Sequence, residues 1–440
     1  MAYQWLTFSA ARQQLAARLA DPTNRFWTDA ENGLYIVEAL RVWNSLTFTW
    51  KTTFTFTIAA ASAPTWFSLG TLAGSPRLRT LTDTALYTAM EYHLLESPTG
   101  GSWSGTSQFT IADLSLALQR CRDEAIQASN CNQLNPTPTP TTPGDRVIPL
   151  ADTYLDVQRA RWVPTVGAKV TLVRNDDTGL NYYQPDYLQT PPAVPSQYNV
   201  ASLPPLSLEV DVPPATPGAY DMIVLASGPT FAPPSAQLLN VPDDNAWILK
   251  WGALADLLGR ESEATDRLRA EYCTQRYTDG LKLMQNTPWV MQASINEIPA
   301  DLVSMTEMDR YRPEWDSQAP DYQMIVLGGM DFFTVVPDPL SSLSVTMTVL
   351  GNAPVPVADG DFIQCSRDVW DAVLDYAQFL ASFKQGGVEF LSAMDLEKGF
   401  FATAIGVNGR LQVLGLFANE YNQEGGREGR AQQRFAGDQQ

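Results

Sequence analysis

Histidine is nearly absent from this 440-residue chain, which has one, and basic charge is scarce, with 29 Lys and Arg against 48 Asp and Glu. The resulting net charge of -19 excludes broad binding to nucleic-acid phosphates, which needs clustered cations. An acidic surface repels DNA, which suits a conduit and equally suits an ordinary acidic protein. No apolar run approaches the roughly eighteen residues of a membrane-spanning helix. The four cysteines, Cys121, Cys131, Cys273 and Cys365, form no C-x-x-C spacing. They sit in or near apolar helical patterns and read as buried thiols of a reducing compartment. Met1-Ala2-Tyr3-Gln4-Trp5 shows neither a basic n-region nor an apolar h-region, so no secretory leader is expected. Asn-x-Ser/Thr acceptors are also missing. The expectation is a protein made and folded in a cytoplasm.

Catalytic patterns are equally scarce. His93, near the end of a helical pattern, reads as a packing residue or a support for the helix C-terminus, with no Ser or Cys nucleophile motif beside it. Gly100 to Gly105 is not G-x-S-x-G, and neither a Walker A loop nor a dinucleotide loop occurs. Asn175-Asp176-Asp177-Thr178-Gly179 and Asp359-Gly360-Asp361 lack the distal Glu of a calcium loop and read as turns. Two carboxylates can converge from anywhere in a fold, but nothing singles out a pair. No catalytic residue, metal ligand or cofactor is expected.

What the chain has is core material: 45% hydrophobic residues, with 12 Trp, 16 Tyr and 18 Phe. Residues 8–20 and 28–46 read as helices. Asp21-Pro22 breaks the first. Thr28 is placed to cap the second, Glu31 to complete a capping box, and Trp27 to staple onto Ile36, Leu40 and Trp43. Residues 47–58 alternate, with Phe48, Trp50, Phe54, Phe56 and Ile58 opposite a Thr-rich face, the mark of a half-buried strand. Helices follow near 83–96 and, capped by Thr110, over 111–129.

Asn135 to Gly144, with Pro at 136, 138, 140 and 143, reads as a stiff connector. Beyond it, 156–163 and 169–174 read as strands, and 206–210 with 221–225 as a hairpin-like pair. Prolines through 185–217 indicate loops and edge strands. Helices return at 246–258, where Trp247, Trp251, Leu254 and Leu258 form one stripe, and at 266–284. The order strand, Pro turn, strand, helix, helix over 206–284 recurs over 331–403, a candidate ββαα repeat in which Trp247 matches Trp370. The polar stretch from Asn419 to Gln440 is expected to be disordered alone and to dock along a neighbouring ring.

Three of these segments resemble one family. They are Ala20-Asp21-Pro22-Thr23-Asn24-Arg25-Phe26-Trp27-Thr28-Asp29-Ala30-Glu31 with Tyr35 to Trp43; Gly101-Ser102-Trp103-Ser104-Gly105-Thr106-Ser107-Gln108-Phe109 with Asp113-Leu114 and Ala117 to Asp123; and Trp251 to Leu258 with Tyr272-Cys273 and Arg276-Tyr277. Together they look like the head-to-tail connector (adaptor) proteins of tailed bacteriophages, over 20–50, 83–165 and 247–284. The resemblance implies a virion structural protein of the neck, made in the host cytoplasm. Its ring, commonly twelvefold, joins portal to tail tube or nozzle proteins and passes DNA as cargo, with no enzymatic role. The chain departs from smaller adaptors in size and in its second ββαα unit. Other stations, in tail, nozzle or capsid, are alternatives. From another class, so is an acidic carbohydrate-binding protein or glycoside hydrolase, whose mark is paired carboxylates in an aromatic-lined cleft.

The expected fold is α+β, helical bundle segments joined to antiparallel β-sandwich or hairpin domains. The expected divisions are 1–134, a linker at 135–145, 146–290, 291–418 and a tail at 419–440. Interface candidates are Trp27, Trp43, Trp103, Tyr421 and Phe435, aromatic anchors for subunit or domain contacts.

Overall fold

The computed structural model describes residues 3–417 apart from 60–65, 77, 95–108, 168, 184–185, 202–205, 234–235, 261–265, 313–314, 316–322 and 338–340. Its helices are α1 (Phe8–Arg18), α2 (Asp29–Thr47), α3 (Asp83–His93), α4 (Ile111–Ser129), α5 (Asp177–Tyr183), α6 (Ala246–Gly259), α7 (Arg267–Gln285), α8 (Met305–Tyr311), α9 (Arg367–Gln385), α10 (Gly387–Val407) and α11 (Arg410–Val413). With three sheets beside them the architecture is α+β.

Capping sets several of these ends. The Thr28 hydroxyl accepts from the Glu31 amide, as expected. The reciprocal half of that box does not form, because the Glu31 carboxylate instead accepts from the Tyr35 hydroxyl and from Lys384. A complete box forms at α4, where Thr110 and Asp113 satisfy one another's backbone amides. Helix α2 outruns its expected end, reaching Thr47 and closing on Phe48 in the left-handed conformation (φ 53°). Phe48 and Trp50 are therefore not in the following strand, which spans Lys51–Ile58. Within that strand the expected alternation holds, with Phe54 and Ile58 buried and Thr53, Thr55 and Thr57 exposed.

The Lys51–Ile58 strand pairs antiparallel with Leu343–Leu350, which pairs in turn with Val290–Ile295. The inner face of this sheet packs on a second, order 301–304, 324–328, 332–336, 67–68. Phe54, Ile58, Val345 and Met347 meet Ile325, Phe333 and Val335 in the shared core. The third sheet has eight strands and its own core around Trp162, Tyr198, Tyr220 and Met222. Its strand Gly218–Ala226 links the third sheet to the second and to the helices, because Ile223 packs against α8 and the second sheet while Leu225 enters the helical core.

Three expectations are corrected. The 135–145 connector is part of a sheet, since Thr139–Thr141 pairs with Gly218–Tyr220. Prolines are tolerated there because the strand lies at an edge, where missing donors go unused. The segments 206–210 and 221–225 are not a hairpin: Ser207–Val210 lies between 197–201 and 147–149, and Gly218–Ala226 lies against 154–164. The ββαα order does recur, but Phe332–Val336 and Leu343–Leu350 belong to different sheets, so the two units do not share a pairing and a repeat is not shown.

The linear divisions also fail to separate cores. One apolar cluster takes residues from α1, α2, α3, α4, α6, α7, α9, α10 and α11. Helix α2 packs on α9 and α10, and α4 on α6 and α7. Glycines permit the closest approaches. A Cβ at Gly252 would lie 2.7 Å from Cys121 Sγ and 2.8 Å from the Tyr277 ring, and one at Gly280 would lie 2.6 Å from Ile248 Cγ1. Gly252→Ala should therefore destabilise the fold by about 1–3 kcal/mol, read as a lower chemical denaturation midpoint. An unchanged midpoint would show that α4, α6 and α7 part without cost.

Candidate functional site

Helix α2 carries Glu31, Tyr35 and Glu38 at spacings of four and three, hence on one face. That face is buried among other helices rather than turned to water. The Lys250 ammonium of α6 lies 2.6 Å from Glu38 Oε2 and 3.0 Å from His93 Nε2. The Lys384 ammonium of α9 lies 3.0 Å from the Glu31 carboxylate, which also accepts from the Tyr35 hydroxyl at 2.6 Å. A third pair joins α7 to α10, with Arg276 Nε 3.0 Å from Glu397 Oε1 and the Tyr272 hydroxyl donating to the same oxygen.

His93 stacks between Tyr35 and Trp251, centroids 5.7 Å from each, with Phe383 edge-on at 5.2 Å. Burial holds its pKa well below the ordinary 6.5, and the cations Lys250, Arg269 and Lys384 push the same way. The imidazole is thus neutral, with Nε2 accepting from Lys250. Burial lowers the Lys250 ammonium too, and Glu38 opposes the shift. No solvent reaches His93 or Lys250, and among the described residues no hydroxyl or thiol hydrogen-bonds to the imidazole. The cluster binds helices together and offers no route to a substrate.

The cysteines are buried as expected. Burial pushes the Cys121 and Cys365 thiols up to about 12 and Cys131 to about 11, away from reactive thiolate. Among the described residues no group of three His, Cys, Asp or Glu is placed to hold a metal. Of the two acidic stretches read as turns, Asn175 to Gly179 instead runs into the start of α5, where Asp176 accepts from the Gly179 amide, while Asp361 accepts from the Val357 and Ala358 amides.

The interface candidates divide. Trp27 is buried, its indole donating to the Ala381 carbonyl at 3.1 Å, so it anchors α9 within the chain rather than stapling α2 alone. Trp43 packs on Phe400 and, with Tyr3, Trp50, Pro354, Val369 and Val407, lines a cavity of 250 Å³. Trp103, Tyr421 and Phe435 lie outside the described residues. A groove of 490 Å³ runs beside Met291–Ser294 with Asp301 at its side, and a 20 Å³ pocket lies beside Asp244. Each of these three concavities carries at most one carboxylate. None of the described tryptophans is exposed.

Sequence reading missed the α2 clamp. Its signals were the Glu31–Tyr35–Glu38 spacing and a lone Lys250 inside the apolar run Ala246–Leu258. No family model matches the chain, and no curated protein matches it significantly.

A pH prediction follows from His93. Its folded pKa lies below the unfolded 6.5, so its stabilising contribution is complete above 6.5 and is lost as pH falls below it. His93→Phe keeps the aromatic packing and removes the titration. Between pH 6.5 and about 4.5 the variant's unfolding free energy should fall less steeply than the wild type's, by up to about 1.4 kcal/mol per pH unit. The raised Asp244, at about 6, has the opposite slope but is common to both proteins and cancels. Parallel curves would place His93 in contact with solvent.

Proposed function

We propose that this chain is a virion structural protein of the tailed-phage neck, assembling into a ring that joins portal to tail and extends the DNA channel. The observation that carries this reading is spatial. The described parts of the three segments resembling head-to-tail connectors, although far apart in sequence, converge in one helical core, with α4 packed on α6 and α7, α3 on α6, and α2 tied to α6 through Glu38 and Lys250. The sheets are arranged outside that core, giving a helical bundle decorated by β-layers rather than a jelly roll.

The charge supports a passive conduit, since a net -19 repels DNA and lets it pass without adhering. Association, not catalysis, is then the mechanism: a heterologous surface repeated around an axis closes a ring. Tail, nozzle or capsid stations remain the runner-up, distinguished by which partner the ring binds. The carbohydrate reading has less support, because the described tryptophans are core or partly covered and no paired carboxylates line the three concavities.

Native mass spectrometry of the chain, alone and with a portal ring, tests the proposal. Expected are closed multiples of 48.5 kDa once portal is present, and rings in negative stain. A chain that ignores portal and never exceeds a dimer overturns it. Deleting 419–440 should weaken ring formation or portal binding; unchanged assembly removes the tail from the interface.

A further inference from the structure

Among the described residues the Lys51–Ile58 strand ends its sheet, with Leu343–Leu350 as its one neighbour. The Gly351 amide donates to the Trp50 carbonyl at 3.0 Å. Antiparallel alternation from that bond turns Thr52, Phe54, Phe56 and Ile58 toward Leu343–Leu350. Lys51, Thr53, Thr55 and Thr57 therefore point their N–H and C=O groups away from it. Among the described residues none of these outward groups has a backbone partner. Their side chains are exposed as well.

Free edges in stable proteins are normally blunted by short length, charged side chains (Lys above all), proline or bulges. This one has eight residues, no proline, an unbroken register across its whole length, and a single Lys, Lys51, at its first position only. Its outer face is already ordered, because Thr53 and Thr348 hydroxyls lie 2.9 Å apart and Thr55 and Thr346 hydroxyls 2.8 Å. Its inner face is held by Phe54 and Ile58 in the core. The edge is thus rigid before anything docks, which reduces the ordering cost of adding a strand.

We infer that this edge is a self-association site that takes the same strand of a second copy, antiparallel, about a two-fold axis near Phe54. Charge selects this occupant. In a chain of net charge -19, Lys51 is the strand's single charged residue, and salt screens charges more than about 8 Å away, so the acidic remainder of each copy opposes pairing at this edge only weakly. Antiparallel order sets Lys51 opposite Thr57 of the second copy and Thr53 opposite its Thr55, with no like charges facing. The outward amides and carbonyls then pair with each other, and the Thr face runs unbroken across both copies. A two-fold contact closes on itself, so this site pairs two chains and leaves other surfaces for a ring. It does not rest on the neck reading.

Two edge variants of the full chain test it. Thr55→Pro removes an outward N–H while sparing the bonds to Leu343–Leu350. The double variant Thr53→Lys with Thr55→Lys sets like charges opposite one another. Far-UV circular dichroism and the denaturation midpoint verify that each folds. Native mass spectrometry should give wild type at twice 48.5 kDa and both variants at the single mass, the dimer dissociation constant rising about tenfold or more. Hydrogen exchange at the Thr53, Thr55 and Thr57 amides should be slow in wild type and fast in the double variant. A monomeric wild type overturns the inference, as does a dimer that survives in both folded variants. A ring that persists while those amides exchange fast in wild type also overturns it, and leaves the neck reading intact.

Discussion

Everything in the helical half depends on how α2 is clamped. Its acids, Glu31 buried and Glu38 partly so, face the ammonium groups of α9 and α6, two helices separated from it by more than two hundred positions. Apolar contacts alone would bury α2 with some freedom to rotate or slide. Charges inside a core remove that freedom, because a shift of one residue leaves a carboxylate and an ammonium each desolvated and unpaired. Such pairs add little net stability over well-packed apolar groups, but separating them is costly. The Tyr35 and His93 rings fill the space between the pairs and complete their hydrogen bonding. For this chain the clamp defines the relative register of α2, α6 and α9.

Local chemistry made much of the fold legible. Thr110 and Asp113 marked the start of α4, and the Thr/Phe alternation marked a strand with one dry face. The Trp stripe of α6 and the break at Gly386-Gly387 between α9 and α10 were also readable. What was hidden is non-local. Nothing in Asn135 to Gly144 shows that Thr139–Thr141 has a sheet edge waiting for it. Alternation in Lys51–Ile58 identifies a buried face but not Leu343–Leu350 as its partner. Phe48 ends α2 in a conformation that β-branched and bulky residues seldom adopt, so the helix boundary could not be read from propensity.

The candidate residues show the same division. Trp27 and Trp43 were identifiable as aromatic anchors, and each is an anchor within the chain. The groups that organise the interior are instead charged: Glu31, Glu38, Lys250, Lys384, Arg276 and Glu397. Pattern reading assigns such residues to solvent, and only the lone Lys250 within an apolar helix breaks that rule visibly. If the chain is the assembly protein proposed above, this design suits it. Its surfaces can diverge to meet partners while the interior is held by pairs that tolerate few substitutions.

The pairing of Lys51–Ile58 with Leu343–Leu350 has a consequence for biosynthesis. The ribosome releases the first strand long before its partner exists, and helices α1 and α2 likewise wait for α9. Contacts of such sequence separation carry a high loop-closure cost and slow folding. Domain-by-domain folding during translation, the usual protection of large chains, is therefore closed to the helical core and the first sheet, while the third sheet, whose core lies within 148–224, escapes the constraint. The N-terminal third must remain incompletely packed until the last helices emerge. Truncated translation products would expose the apolar faces of α2 and of the first strand, and would be substrates for chaperones and proteases rather than partial building blocks.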